Sequence, residues 1–164
     1  RRLHVVEQNA PTLASTLREN LTVGCSDAGR ADLVEALRTV RLHHLLDRQD
    51  ALDTAVGDGG LTLSGGERQR LAWARLLLSP RDVLLLDEPT SNVDALSERA
   101  FVDVLERSAR GRTVVVVAHR MSTIRGADQI VVVDAGRVVD VGTHEELVGR
   151  CPVYARMTAE QLAA

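Results

Sequence analysis

Four apolar residues closed by two carboxylates and a proline, Val83-Leu84-Leu85-Leu86-Asp87-Glu88-Pro89, constrain the architecture of this chain more than any other stretch. An uninterrupted run this short is strand-sized, and its lack of polar alternation suits a parallel strand buried on both faces. Parallel strands need crossover connections, and helices usually supply them. The rest of the chain provides that pattern. Short β-branched runs alternate with helical stretches, the mark of an α/β fold with a mainly parallel sheet.

Leu3–Glu7 is the first expected strand, and Pro11 breaks it. Leu33, Leu37, Val40 and His44 recur at helical spacing, which predicts an amphipathic helix over Ala31–Leu46. Ala51–Leu63, rich in glycine, reads as a loop feeding a second helix that ends near Ser79-Pro80. After Val83–Leu86, a helix from about Asp94 carries Ser97, Phe101, Val104 and Leu105 on one face. Arg112–Ala118 is the next expected buried strand, ending at His119. Gln129–Asp134 and Arg137–Val141 flank Ala135-Gly136 as a hairpin. Thr143-His144-Glu145-Glu146 forms a capping box opening a short helix before Cys151-Pro152.

The run Leu63-Ser64-Gly65-Gly66-Glu67-Arg68-Gln69-Arg70 places a serine and two glycines at the mouth of the second helix. The first N–H groups of a helix lack internal partners and the peptide dipoles make that end positive, so it suits an anion. Ser64 with Glu67 three residues on is a capping box, and the glycines let the backbone approach a phosphate closely. Arg68 and Arg70 read equally as a solvated face or a functional pair. Trp73, Phe101 and Tyr154 read as packing residues.

This run resembles the signature motif of ATP-binding cassette (ABC) proteins in its exporter-like form, and other motifs of that family follow in order. Val83–Ser91 resembles the Walker B motif, with Asp87 implied as a Mg²⁺ ligand and Glu88 as the group that polarises the attacking water. Asp94 falls at the D-loop position and can also be an N-cap; the family usually has Ala-Leu where this chain has Asn92-Val93. His119-Arg120-Met121-Ser122-Thr123 resembles the H-loop, whose histidine meets the γ-phosphate. Val5-Val6-Glu7-Gln8, with Ser15 to Leu21, resembles the Q-loop and the segment after it. There Gln8 helps hold Mg²⁺ and the loop meets the membrane domain. Asp53–Gly60 resembles a further exporter motif, departing from it at Ala55, Asp58 and Gly59.

The resemblance runs from Val5 to Leu147 and implies an ABC-type P-loop NTPase fold, a mainly parallel sheet core with a helical subdomain. Residues 9–79 would be the helical subdomain, and residues 1–8 and 80–164 the sheet core. Two such domains dimerise head to tail, each ATP lying between the P-loop of one and the signature of the other. Ser64, Gly65, Gly66 and Glu67 would then face a nucleotide held by the partner, and Gln8, Asp87, Glu88 and His119 the chain's own.

One element of the family pattern is absent from these 164 residues: all 20 basic residues are arginine. A P-loop of the form G-x-x-x-x-G-K-[ST] needs a lysine on the β/γ-phosphates. Residues 1–7 are also too few for the strand, loop and helix of a P-loop unit, and the chain opens without methionine. The expectation is a piece of an ATPase domain, on the cytoplasmic face of the membrane, that powers an ABC exporter and is inactive alone. It would work with a transmembrane domain and a second nucleotide-binding domain that supplies Walker A. Two alternatives stand beside it: a non-catalytic module completing a partner's site, and a soluble ABC ATPase of DNA maintenance or translation. Residues 9–63 are too short for the long coiled coils of chromosome-maintenance members. A net charge of −3 gives no reason to expect a nucleic-acid partner. Cys25 and Cys151 have no metal spacing and fit a reduced cytosolic setting. No apolar run approaches the length of a membrane span.

Overall fold

The computed structural model describes residues 3–8, 11–25, 27–57, 60–91 and 93–162. Asp58, Gly59 and Asn92, which carry three of the departures noted above, lie outside the described residues. Element order is β1 (Leu3–Val6), β2 (Ser15–Thr16), α1 (Leu17–Leu21), α2 (Arg30–Thr39), β3 (Ala55–Val56), α3 (Gly65–Leu78), β4 (Val83–Asp87), α4 (Ala95–Ala109), β5 (Thr113–Val117), α5 (Met121–Ile124), β6 (Ile130–Asp134), β7 (Arg137–Gly142), α6 (His144–Arg150) and α7 (Pro152–Leu162). The chain divides into two units, Arg1–Val117 and Ala118–Ala164.

The first unit is built on a parallel sheet in the order β1-β4-β5, with Val6 beside Leu86 and Leu86 beside Val116. Val6, Leu84 and Leu86 point to the face that joins the main core. There they meet Trp73 and Phe101, from α3 and α4, whose rings lie 4.8 Å apart. The opposite face behaves differently. Leu3, Val5, Val115 and Val117 share it by register and are each about half exposed. The expected buried strand over Arg112–Ala118 is therefore shorter, Thr113–Val117, and only partly buried, on one side. β4 departs the same way, with Leu84 and Leu86 buried but Val83 and Leu85 only partly so. Helices cover one face of the described sheet, so an apolar strand here does not mean a doubly buried one.

The expected helix over Ala31–Leu46 stops early. α2 ends at Thr39, and His43–Asp47 forms a separate 3₁₀ turn. The reason is a Schellman end. The Leu42 N–H reaches the Leu37 carbonyl at 2.8 Å and the Arg41 N–H reaches Arg38 at 3.0 Å. Arg41 takes φ 58°, a left-handed conformation usually left to glycine. Leu37 and Leu42 are both fully buried, which gives the motif its apolar contact.

The expected loop Ala51–Leu63 also holds more order than its glycines suggest. Ala51–Asp53 is a 3₁₀ turn, and β3 pairs antiparallel with β2. A Cβ at Gly60 would sit 2.5 Å from the Ala55 carbonyl oxygen, so only glycine closes this turn.

The second unit is smaller. β6 and β7 form the expected hairpin, and Ala135 and Gly136 both have positive φ, as a type I′ turn requires. Thr143 caps α6 through the expected capping box. Ile130, Val132, Leu147, Cys151 and Tyr154 make its core. Among the described residues no helix is long and apolar enough to cross a membrane.

His4 gives the first unit a pH signature. Its Nδ1 lies 2.9 Å from the Ser79 hydroxyl. Burial, then the charges of Arg75, Arg81 and Arg112, hold its pKa below 6.5. The unfolded chain therefore takes up this proton first as pH falls. His4 should leave stability unchanged above pH 6.5 and reduce it as pH drops from there toward the depressed native value. Urea unfolding at about pH 7.5 and about pH 5.5 reads this directly; His4→Gln should flatten the difference.

Candidate nucleotide-phosphate and carboxylate site

β4 delivers Asp87 and Glu88 to its carboxyl end, where open α/β sheets bind ligands. Asp87 still pairs in register with Val117, and its side chain is exposed. Glu88 breaks the strand. It takes φ 42°, its N–H donates to the Val117 carbonyl at 2.9 Å, and its own carbonyl accepts the Ser91 N–H at 3.2 Å. β1 ends beside β4, which brings Gln8 within reach. Gln8 Nε2 donates to Glu88 Oε2 at 2.9 Å. The structure thus joins Gln8 and Glu88, eighty positions apart in sequence, with Asp87 adjacent.

α3 presents the signature run. Ser64 Oγ accepts the Glu67 N–H at 3.2 Å, and Glu67 Oε2 accepts the Ser64 N–H at 2.8 Å. The Ser64 hydroxyl hydrogen is left to donate elsewhere. Ser64 and Gly65 are exposed and Gly66 partly so. Glu67 Oε1 also lies 3.0 Å from His44 Nε2. Burial works to raise the Glu67 carboxyl, but the Ser64 backbone and hydroxyl and His44 outweigh it and hold it below the usual carboxylate range.

Asp94 caps α4: Oδ1 accepts the Ser97 N–H at 2.9 Å, and the Ser97 hydroxyl donates to Oδ2 at 3.0 Å. Arg70 Nη1 donates to the same hydroxyl at 2.9 Å. Arg68 Nη1 donates to the Leu63 carbonyl at 2.7 Å, which steadies the turn before Ser64. Neither arginine is merely a solvated face. His119 belongs to the second unit, where Gln161 Nε2 donates to its carbonyl.

Sequence reasoning missed two sets of contacts. Gln69 Nε2 and Trp73 Nε1 both donate to the Pro89 carbonyl, at 2.9 and 3.0 Å. Arg75 donates to the carbonyls of Asn20 and Pro11 and to Asn20 Oδ1. The only sequence signal for the first was a glutamine four residues before a tryptophan, a spacing that shares a helix face. Among the described residues no group of three or more His, Cys, Asp or Glu side chains could hold a metal alone. Mg²⁺ bound with a nucleotide keeps waters and phosphate oxygens and needs only one or two protein oxygens. Asp87, exposed at a strand end, and Gln8 Oε1, the acceptor left when Nε2 faces Glu88, fit that limited demand.

A family model described as ABC transporter matches residues 1–91. A mycobactin import ATP-binding/permease protein from Mycolicibacterium thermoresistibile is 47% identical over 161 residues, covering 98% of this chain and 28% of the relative. An ATP-dependent lipid A-core flippase from Chromohalobacter salexigens is 42% identical over 157 residues, covering 95% of this chain and 27% of that protein. A solved structure of a bacterial Atm1-family ABC exporter with ATP bound superposes with a TM-score of 0.88 at 36% identity, covering 99% of this chain and 29% of that one. The chain therefore spans less than a third of the length of these relatives.

Proposed function

Because the chain belongs to the ABC transporter family and shares the fold of its nucleotide-binding domains, we propose that it carries the Q-loop-to-H-loop part of an ATPase that powers an ABC membrane exporter. The observation that carries this reading is the Gln8–Glu88 hydrogen bond at the carboxyl ends of β1 and β4. Glu88, oriented by the Gln8 amide, is the group that accepts the proton of an attacking water. Asp87 and Gln8 Oε1 would hold Mg²⁺, which when bound neutralises charge on the β- and γ-phosphate oxygens. His119 would contact the γ-phosphate, and Asp94 would lie at the seam with a second domain. Residues 9–79 act as the helical subdomain, and residues 1–8 and 80–164 as the sheet core.

Ser64, Gly65, Gly66 and Glu67 serve a nucleotide bound by a second nucleotide-binding domain, homologous or identical. The capping box supports this role, because it fixes the serine and leaves its proton available to a phosphate oxygen. The phosphate-binding lysine has to come from outside these 164 residues. The membrane partner is a transmembrane domain that docks at its cytoplasmic face beside the segment after Gln8. Relatives named for import, flipping and export match at similar identity, so direction and cargo reside in that membrane domain. A second reading rests on the well-formed signature alone: a module of this kind would complete a partner's site without turning over its own.

The test is phosphate release. The membrane assembly that contains the chain is expected to hydrolyse ATP, and the purified 164 residues to release no phosphate above background. Robust activity from the purified chain, abolished by Glu88→Gln, would contradict the need for an outside lysine. An assembly without ATPase activity would favour the non-catalytic module.

A further inference from the structure

Glu88 occupies a backbone conformation that its neighbours must enforce. A φ of 42° is unfavourable for a residue with a Cβ. The proline that follows restricts Glu88 further, toward extended conformations. Its N–H is held by β5 through Val117, and its carbonyl by Ser91. A further hold comes from α3. Gln69, 2% exposed, and Trp73, fully buried, lie one helical turn apart and aim their side-chain N–H groups at the Pro89 carbonyl. Both lone pairs of that oxygen are thereby used. The indole is itself fixed by contact with Phe101. A buried carbonyl gripped from two directions fixes the Pro89 peptide plane, and with it the turn that aims the carboxylate one residue earlier.

We propose that Gln69 and Trp73 are positioning residues for Glu88, holding its turn to the signature helix through the Pro89 carbonyl. This rests on the reading of Glu88 as the group that activates water. Both side chains are buried and give their N–H groups to this carbonyl. The consequence is mechanical. The helix whose N-terminus meets one phosphate also sets the carboxylate that serves the other site, so a shift of α3 reaches Glu88 through two hydrogen bonds rather than through solvent.

Trp73→Phe removes the indole N–H and keeps an aromatic ring against Phe101; Gln69→Leu removes the amide donor at similar volume. In the membrane assembly each single variant should lower kcat about threefold, and the double variant about 20-fold, because only the double leaves the buried carbonyl without a donor. KM for ATP should stay within about twofold, since no ATP contact is lost. In the same assembly the Ser91 amide, bonded to the Glu88 carbonyl, should exchange faster with solvent in the double variant, while amides within α3 keep their protection. Glu88→Gln run in parallel separates the two readings. If Glu88→Gln stops turnover but the double variant keeps the parent kcat and KM per folded molecule, with only a lower Tm, the positioning role is overturned. If turnover survives Glu88→Gln, the assignment of Glu88 as the water-activating group fails, and Ser91 exchange decides the structural link: unchanged protection overturns it. Should the double variant not fold, Trp73→Phe alone decides, and an unchanged kcat with unchanged Ser91 protection overturns the proposal.

Discussion

Replacing Glu88 by glutamine should reduce ATP turnover of the assembled transporter at least about 100-fold, the scale of losing a positioned general base. The substitution keeps the side chain's length and shape. Its amide oxygen can still accept the Gln8 Nε2–H that Glu88 Oε2 now accepts at 2.9 Å. The backbone bonds to Val117 and Ser91 do not involve the side chain at all. With these bonds kept, folding stability should change by less than about 1 kcal/mol. What disappears is the ability to accept a proton from water. Nucleotide affinity should persist, so the variant should accumulate in a nucleotide-bound state. Asp87→Asn separates the two carboxylates. If Asp87 holds Mg²⁺ as proposed, the apparent affinity for Mg–ATP should fall together with the rate. Phosphate release and equilibrium nucleotide binding, measured on both variants, read this contrast. Residual turnover within a few-fold of the parent in Glu88→Gln would remove the catalytic role assigned to that carboxylate.

How much of this site could be read before any coordinates depended on the range of the interactions. The Ser64–Glu67 and Thr143–Glu146 boxes were legible because both partners lie within one helical turn. So was the Ala135-Gly136 hairpin turn, whose residue types announce positive φ. The end of α2 was not, because its left-handed residue is Arg41 where a glycine would have signalled the stop. The half-open β5 was misread for a different reason. An apolar run reports that a strand can be buried, and the neighbours decide how many of its faces are. Gln8, Asp87 and Glu88 could be placed together only through a motif pattern, since eighty positions separate the Gln8–Glu88 pair. The Pro89 clamp left only the four-residue spacing of Gln69 and Trp73, which puts two donors on one helix face. Its acceptor is a main-chain carbonyl, which no side-chain pattern marks.

Asn20 leads to the second large effect, on stability, and it too was hidden in a motif. The run Arg18-Glu19-Asn20-Leu21 is a family resemblance in sequence, but in the fold Asn20 is a fully buried polar knot. Its Oδ1 accepts the Leu13 N–H at 2.9 Å and Arg75 Nη2 at 2.8 Å. Its Nδ2 donates to the carbonyls of Leu13 and Thr16 and to the Ser15 hydroxyl. Burial lowers the pKa of Arg75, and these acceptors offset the cost of burying its guanidinium. Asn20→Ala leaves two carbonyls, one N–H and part of a guanidinium short of partners, and opens a void. Each unsatisfied buried group costs about 1–3 kcal/mol, and partial relaxation toward water makes about 3 kcal/mol a reasonable total. Asn20→Leu fills the volume but restores no bond, so it should cost nearly as much. That near-equality distinguishes lost polar partners from lost packing. Arg75→Met should cost less, because the Asn20 side chain keeps its bonds to the 13–16 segment and the Pro11 carbonyl can turn to solvent. Urea midpoints of the three variants, at unchanged m, measure the order. The knot also fixes where the chain runs after Gln8, the residue that orients Glu88. Asn20→Ala should therefore lower turnover in the protein that remains folded, which a purely global loss of stability would leave untouched.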